Sequence, residues 1–252
     1  MTLPPHELAP GFDELGVLAF TTTRQAGSYN LASAEPAAAV FGRWMSLVEA
    51  LRPEARRLAT ALQVHGSRIL IHGDGWNGWL RDTSGADGHL SRANRTAMAV
   101  TLADCVPVFI AHPDGVGILL HSGWKGTAAG ILNSGFEMLE SLGRDVSEAH
   151  VHFGPAICGK CYEVGPDVYA AVTGSQVDSP TLLDLRAVMA EQARQAASAE
   201  AESLRAEVEK AREELTTAGI NIERFKTANT DLHSVLMAIC QEIRKTPYQR
   251  PS

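Results

Sequence analysis

Cys105 and His121 carry side chains that bind transition metals, and a predicted hairpin brings them near each other. Apolar, β-branched runs at 97–110 and 116–121 flank a His-Pro-Asp-Gly segment at 112–115. A Pro-Asp-Gly turn between two apolar runs predicts an antiparallel hairpin. The two residues are therefore expected on facing strands, one on each side of the turn.

The register of this hairpin decides whether Cys105 and His121 can share a metal ion. The turn places Cys105 opposite residue 122, and a shift of one residue places it opposite His121. Directly opposed residues have Cβ atoms ~4.5–5.5 Å apart. One ion with Zn–S and Zn–N bonds of ~2.3 and ~2.0 Å fits between them. A slip of one residue puts the side chains on opposite faces, and a cysteine in an apolar strand often serves only as a small core residue. The pair alone leaves both interpretations open.

Neighbouring residues favour the metal site. His65 ends an apolar segment, precedes Gly66 and is a third candidate ligand. Asp104 interrupts the apolar run beside Cys105 and is expected on the opposite face, where it would orient a ligand. His121 opens a His-Ser-Gly-Trp-Lys-Gly segment, whose glycines allow the backbone to approach a ligand just before a predicted helix. Three protein ligands leave a fourth position for water, as in catalytic zinc sites.

The elements that must position these residues are short and mixed. A first strand is predicted over 16–22, and helical spacing runs through 37–61 with an interruption at Pro53. A helix is predicted over 127–142, with one apolar face formed by Leu132, Phe136 and Leu139. Mixed strands and helices over 16–185 predict a single α+β domain, a mixed α/β sandwich.

A different composition begins near Arg186. From there to Leu215 the chain is rich in Ala, Glu, Arg and Gln and contains neither Pro nor Gly. This predicts an extended charged helix with Gly219 as its C-cap. A solvated helix is favoured over a coiled-coil partner, because Leu204 and Val208 form only a narrow stripe without sustained heptads.

The overall composition restricts the class of protein. The chain has 252 residues, of which 45% are hydrophobic and 20% charged, as expected for a globular protein with a core. A net charge of −7 disfavours nucleic acid as a main partner. No secretory signal and no membrane-spanning helix are expected, because the first residues show neither a basic nor an apolar segment and the sequence has no apolar run of ~18 residues. Its four cysteines are too few for a disulfide scaffold, so a cytoplasmic protein is expected, as a monomer or weak homodimer.

Five ordered motifs resemble the YfiH-like family, also called the laccase-domain or multicopper polyphenol oxidase family, whose members are regarded as purine nucleoside phosphorylases. They are QVHG at 63–66, GADGHLS at 85–91, TLADCVPVFI at 101–110, HSGWKGTAAGIL at 121–132, and GPAIC with CYEVGPDV at 154–168. TTTRQAGSYNLA at 21–32 is similar to that family's TTR…G…LNL pattern. The resemblance covers residues 16–185.

The resemblance implies a metal site and an activity. His65, Cys105 and His121 match the three residues that bind one metal in the family, taken to be zinc, and are the implied catalytic residues. The implied reactions are phosphorolysis of adenosine, inosine, guanosine or methylthioadenosine, and deamination of adenosine. Purine nucleosides and phosphate are then the partners.

Four further residues are expected to contact substrate. Arg24 is the candidate phosphate clamp, because a guanidinium binds phosphate bidentately. Asn30 belongs to the same segment. Lys125 stands where the family usually has Arg, and is either a second positive charge near the metal or a solvated lysine at a helix start. Glu163 is either a proton donor or a structural residue.

The chain also departs from the family pattern. Three segments are predicted: a catalytic domain over 1–189, a charged helical insertion over 190–218, and a divergent C-terminal segment over 219–252. The divergence leaves open a decayed enzyme that acts as an interaction protein.

Two further chemistries are less favoured. Copper would accept the same ligands, so a copper-dependent polyphenol oxidase is an alternative. Such an enzyme needs several coppers, and the chain has one His-x-His pair, His150 with His152. The Cys158–Cys161 pair lacks the second Cys-x-x-Cys of a zinc ribbon and the strand–helix context of a thioredoxin motif.

Overall fold

Short strands and helices alternate along residues 2–217, the part of the chain that the computed structural model describes. In chain order the strands are β1 (His6–Leu8), β2 (Phe20–Thr22), β3 (Arg57–Ala61), β4 (Ile69–His72), β5 (Gly78–Asp82), β6 (Gly88–Ser91), β7 (Thr96–Met98), β8 (Val106–His112), β9 (Val116–Ser122), β10 (His150–Phe153), β11 (Glu163–Val164) and β12 (Thr181–Leu182). The helices are α1 (Ala37–Leu51), α2 (Trp124–Ala128), α3 (Ile131–Ser141), α4 (Pro166–Thr173) and α5 (Leu185–Thr217). The fold is a mixed α+β domain with an extended charged helix, as the sequence predicted. None of these helices combines the length and the hydropathy needed to cross a membrane.

Two larger sheets organise the strands. The five-stranded sheet has the order β10–β8–β9–β6–β4, in which β4 and β6 are parallel and the other pairs antiparallel. The three-stranded sheet has the order β5–β3–β7 and is parallel. Two-stranded ladders join β1 to β2 and β11 to β12.

The predicted hairpin is β8–β9, and its register corrects the expected position of Cys105. The turn is closed by the N–H of Gly115, which donates to the carbonyl of His112 at 2.9 Å. Pro107, rather than Cys105, lies opposite His121. Cys105 precedes β8 and is two residues from Pro107, so it is a diagonal neighbour of His121 on the same face. The predicted register of the hairpin is wrong by one or two residues, because the turn sequence alone does not determine the pairing of the strands.

The main core lies between the five-stranded sheet and α3. Leu132, Phe136 and Leu139 are buried there, which confirms the predicted apolar face. The predicted helix over 127–142 is in fact two helices, because Gly130 adopts a left-handed conformation with φ of 73° between α2 and α3.

A second core lies between α1 and the three-stranded sheet. Its buried side chains are Val40, Trp44, Leu47, Leu51 and Leu58. The helical spacing predicted through 37–61 holds only as far as Leu51. The next apolar run is β3, which is buried along its whole length between two parallel neighbours. Similarly, the strand predicted over 16–22 is reduced to β2, Phe20–Thr22.

The charged helix α5 begins within the core. The pattern of contacts along the backbone separates the chain into two compact units, residues 1–198 and residues 199–252. In the first unit, Leu185 and Met189 of α5 are buried in the main core. In the second unit, residues 205–214 of α5 are exposed. The predicted boundaries at 189 and 218 stay predictions, and the segment 219–252 lies outside the described residues.

Candidate metal centre

The side chains of His65, Cys105 and His121 meet at the open end of the β8–β9 hairpin. His65 belongs to the loop after β3, Cys105 directly precedes β8, and His121 is the penultimate residue of β9. Their ligand atoms all lie within 4.8 Å of one another. Among the described residues, they form the one group of three or more His, Cys, Asp or Glu side chains that could share a metal ion.

The chemistry of this group fits a metal ion. A thiolate and two imidazoles form a ligand set that zinc and copper both accept. Bonds of ~2.0–2.3 Å put the ligand atoms of a tetrahedral ion roughly 3.3–3.6 Å apart, so small side-chain rotations suffice to bring the three atoms onto one ion. His121 is buried, Cys105 is half-buried and His65 is exposed. The group is therefore open to water or substrate on the His65 side.

Asp87 connects two of the candidate ligands and was not singled out from the sequence. Its buried carboxylate accepts a hydrogen bond from Nδ1 of His121 at 2.8 Å. It also accepts from the backbone N–H groups of Val64, His65 and Gly66 at 3.1, 2.9 and 2.7 Å. The bond to Nδ1 leaves Nε2 of His121 free to bind a metal. The available signal was an aspartate among small residues at the entry to an apolar strand.

Asp104, which the sequence favoured for this orienting role, is exposed. Its backbone carbonyl accepts a hydrogen bond from the N–H of Ile157 at 3.0 Å.

The hydrogen bond between His121 and Asp87 shifts the pKa values of both side chains. Burial acts to lower the pKa of His121, but hydrogen bonds with Asp87 and Cys105 raise it to about 9. Burial acts to raise the pKa of Asp87, and the hydrogen bonds from His121 and from the backbone N–H groups of the His65 loop bring it below its usual range. Because the pKa of His121 is raised, a metal ion at this residue competes with a proton.

Gln63 fixes the other side of the His65 loop. Its Oε1 accepts from the backbone N–H and the hydroxyl of Thr101 at 2.7 and 2.9 Å, and its Nε2 donates to the carbonyl of Thr101 at 2.7 Å. These bonds tie the loop to the segment that leads to Cys105. His65 itself is left-handed, with φ of 61°, an uncommon conformation for a residue with a Cβ.

Glycines allow the backbone to pack around the site. A Cβ on Gly123 would lie 2.8 Å from Sγ of Cys105 and 3.3 Å from Cδ2 of His65. A Cβ on Gly126 would lie 3.0 Å from the carbonyl oxygen of Gly66. The close approach that the sequence indicated for these glycines therefore brings α2 against the candidate ligands.

Arg24 and Asn30 line the same cavity, which has a volume of ≈ 610 Å³. Arg24 lies in a 3-10 turn after β2 and is exposed. Oδ1 of Asn30 accepts from the N–H of Ala32 at 2.9 Å, so this part of the side chain stabilises the loop. Thr101 and Leu102 also line the cavity, but the three candidate ligands do not. The cavity thus lies beside the segment that carries Cys105.

Lys125 and Glu163 do not line this cavity. Lys125 is exposed on α2, with Nζ 5.6 Å from the ring centroid of Trp124. Glu163 is exposed on β11. Their expected roles toward substrate stay predictions.

Several proteins similar to this chain are named as purine nucleoside phosphorylases, and one is named as an adenosine deaminase. A purine nucleoside phosphorylase of Streptomyces griseus is 36% identical over 114 residues, which is 45% of this chain and 46% of that protein. The chain thus spans about half the length of that relative. A purine nucleoside phosphorylase of Mycobacterium bovis is 34% identical over 191 residues, covering 69% of this chain and 75% of that protein. An adenosine deaminase from an unknown prokaryotic organism is 28% identical over 171 residues, covering 62% and 65%.

A solved structure and a family model also match this chain. The crystal structure of the hypothetical protein YfiH from Bacillus licheniformis matches with a TM-score of 0.64 at 24% identity, covering 78% of this chain and 82% of that chain. The family model described as multi-copper polyphenol oxidoreductase laccase matches residues 19–234. Because this match covers most of the chain, the protein belongs to that laccase-like family, as its motifs indicated.

Proposed function

We propose that the protein is a zinc-dependent purine nucleoside phosphorylase that also deaminates adenosine. The observation that carries the proposal is the convergence of His65, Cys105 and His121 within 4.8 Å, with Asp87 oriented toward His121. The names of the relatives in Streptomyces and Mycobacterium support the reaction. The deaminase relative supports the second activity.

The candidate site residues have different roles in the proposed reaction. His65, Cys105 and His121 would hold the zinc ion, which supplies Lewis-acid chemistry when bound. Asp87 would keep the proton of His121 on Nδ1 and so leave Nε2 to bind the ion. Arg24 would bind phosphate at the mouth of the cavity.

Substrate would occupy the adjoining space. The cavity volume of ≈ 610 Å³ lies within the ~300–1,000 Å³ of small-molecule sites, which suits adenosine, inosine, guanosine or methylthioadenosine. Asn30 would contact the nucleoside in this cavity. Neither Lys125 nor Glu163 lines this cavity, so Lys125 would add positive charge near the metal, and Glu163 would donate a proton, at a part of the substrate that extends beyond the cavity. The cytoplasmic location and the monomeric or weakly dimeric state stay predictions.

The metal is tested first by elemental analysis. We expect about one zinc per chain in the unmutated protein, and loss of zinc in Cys105→Ala and in His121→Ala. Cys158→Ala removes an exposed thiol elsewhere and is the matched control. The ligand variants should also unfold at lower temperature, because a metal bound only to the native state stabilises it by mass action. Full zinc in both ligand variants would contradict the assignment.

The reaction is tested by release of hypoxanthine from inosine. Phosphorolysis requires that the rate depend on phosphate concentration, and we expect no release without phosphate. The family description favours copper-dependent phenol oxidation as the second candidate. Against it stands the single three-ligand group in the described part of the chain. Phenol oxidation by the copper-loaded protein without phosphorolysis would favour that candidate. No turnover of either kind would favour a decayed enzyme that acts as an interaction protein.

A further inference from the structure

The loop between β10 and β11 brings two exposed thiols into contact. Cys158 and Cys161 occupy a Cys-Gly-Lys-Cys turn, in which the N–H of Cys161 donates to the carbonyl of Cys158 at 2.9 Å. Their Sγ atoms are 3.1 Å apart and both residues are exposed. A disulfide bond is about 2.05 Å long, so the sulfurs need to approach by only ~1 Å to form one.

The two thiols differ in acidity. The neighbouring Cys161 thiol lowers the pKa of Cys158 most, the backbone N–H groups of Lys160 and Cys161 lower it further, and burial and the Asp184 carboxylate oppose the shift. The pKa of Cys161 is raised by the hydrogen bond with Cys158 and by the charge on that sulfur. The thiolate is the nucleophile in thiol–disulfide exchange. Of the two sulfurs, which lie 3.1 Å apart, the one with the lowered pKa, Cys158, is favoured as the attacking sulfur.

Neighbouring residues fix the turn from both sides. A Cβ on Gly159 would lie 2.5 Å from Cβ of Asp184, so the turn packs tightly on the residue that precedes α5. Oδ1 of Asp184 accepts from the N–H of Ala187 at 3.1 Å and so caps α5. The carbonyl of Tyr162, directly after the turn, accepts from the N–H of Leu183 at 2.9 Å.

The same observations disfavour a metal role for this pair. Structural zinc needs four ligands. In the described part of the chain, no third His, Cys, Asp or Glu joins Cys158 and Cys161 in a group that could hold a metal ion. Two adjacent thiols without further ligands suit two-electron redox chemistry instead.

We propose that Cys158 and Cys161 form a redox-active dithiol, which exchanges with disulfides of the glutathione class. The Cys158 thiolate attacks one sulfur of the disulfide, forms a mixed disulfide and expels one thiolate. Cys161, as its proton leaves, attacks Sγ of Cys158 and expels the second thiolate, which takes up a proton. The protein loses two electrons and two protons to the small disulfide, which becomes two thiols.

The full-length protein, equilibrated in glutathione buffers of graded ratio, tests this proposal. The samples are quenched in acid, alkylated and digested with trypsin without reduction. Trypsin cleaves after Lys160, between the two cysteines, so an internal disulfide keeps the two peptides joined, and the reduced protein releases them separately. We expect a single two-electron transition from separate to joined peptides. Thiols that stay reduced in oxidised glutathione, or peptides joined only between different chains, would overturn the proposal.

Two variants assign the roles of the sulfurs. In Cys161→Ser the exchange should stop at a glutathione adduct on Cys158, because no second thiol resolves it. In Cys158→Ser the adduct on Cys161 should form more slowly at neutral pH than the adduct on Cys158 does in Cys161→Ser, because the backbone N–H groups that lower the pKa of Cys158 do not act on Cys161. Equal adduct rates in the two variants would contradict the assignment of Cys158 as the attacking sulfur. No readout uses nucleoside turnover, so failure of the proposed enzyme activity leaves the result intact.

Discussion

The carboxylate of Asp87 accepts a hydrogen bond from Nδ1 of His121 at 2.8 Å. The two residues are 34 positions apart in sequence and lie on neighbouring strands of the five-stranded sheet, Asp87 directly before β6 and His121 within β9. Oδ1 of Asp87 also accepts from the N–H of His65, and Oδ2 accepts from those of Val64 and Gly66. One side chain therefore positions both histidines of the candidate metal centre.

Asp87→Asn should weaken zinc binding by about 10–100-fold, the usual effect of removing a group that orients a metal ligand. Both oxygens of Asp87 act as acceptors, and the variant replaces one of them with an NH₂ group that can only donate. Competition with a zinc chelator measures the change. Asp104→Asn is the matched control, because that side chain is exposed and its recorded hydrogen bond uses the backbone. Equal losses in the two variants would show that Asp87 has no special role.

Much of this centre could be predicted from sequence, because local patterns carry it. The hairpin follows from one turn, and the three candidate ligands lie in motifs with recognisable spacing. Asp87 was missed because its importance depends on pairing between β6 and β9, which no local pattern encodes. Strand β3 lies within the segment predicted as helix, because a fully buried parallel strand shows no alternation of apolar and polar residues. The register of Cys105 was wrong because a one-residue difference leaves the hairpin pattern unchanged.

Gly123→Ala should lower zinc affinity without straining the backbone. Gly123 has φ of −84° and ψ of −178°, which alanine adopts readily. Its new Cβ would nevertheless lie 2.8 Å from Sγ of Cys105, so the thiol must move. Gly75→Ala is the control, because no atom lies within 4 Å of its Cβ position and its φ is not left-handed. The same chelator competition should show a loss of at least several-fold for Gly123→Ala alone. If the zinc affinity of Gly123→Ala is unchanged, the prediction is wrong, because the Cys105 thiol can then move without weakening the bound ion.

His89 should make the protein sensitive to mild acid. It is fully buried, and its Nδ1 lies 2.9 Å from Nε2 of His72. Burial and the neighbouring His72 lower its pKa to about 3, whereas the unfolded value is ~6.5. Protonation thus favours the unfolded chain, so the contribution of His89 is present above pH ~6.5 and is lost as pH falls toward 3. Between pH 6.5 and 5 the loss should be about 1.6 kcal/mol.

The measurement is the free energy of unfolding by urea in metal-free protein, compared with His89→Gln. His72, whose pKa burial also lowers, acts in the same direction, so the difference between the two slopes isolates His89. His121 affects the free energy of unfolding in a different pH range. Its raised pKa of about 9 gives stability that is fully present below pH ~6.5 and is lost as pH rises through 9. Equal slopes below pH 6.5 in the two proteins would show that His89 is not the group responsible.

Arg24→Ala should separate the two proposed chemistries. Phosphorolysis uses phosphate as the nucleophile, whereas deamination uses water. If Arg24 binds phosphate, the variant loses a charge-assisted bidentate contact of roughly 1.5–3 kcal/mol, which is about ten- to a hundred-fold in rate. Deamination of adenosine should fall much less. Arg24→Lys is the matched control and should lie between, because lysine keeps the charge and loses the planar fork.

The two rates are measured on one protein sample, with inosine plus phosphate and with adenosine in phosphate-free buffer. Arg24 is exposed at a cavity that the candidate metal ligands do not line, so its replacement should leave zinc content unchanged. A selective loss of phosphorolysis with a raised KM for phosphate would support its role as the phosphate clamp. Equal loss of both activities with zinc retained would instead mean that Arg24 contacts the nucleoside, since the nucleoside is common to the two reactions.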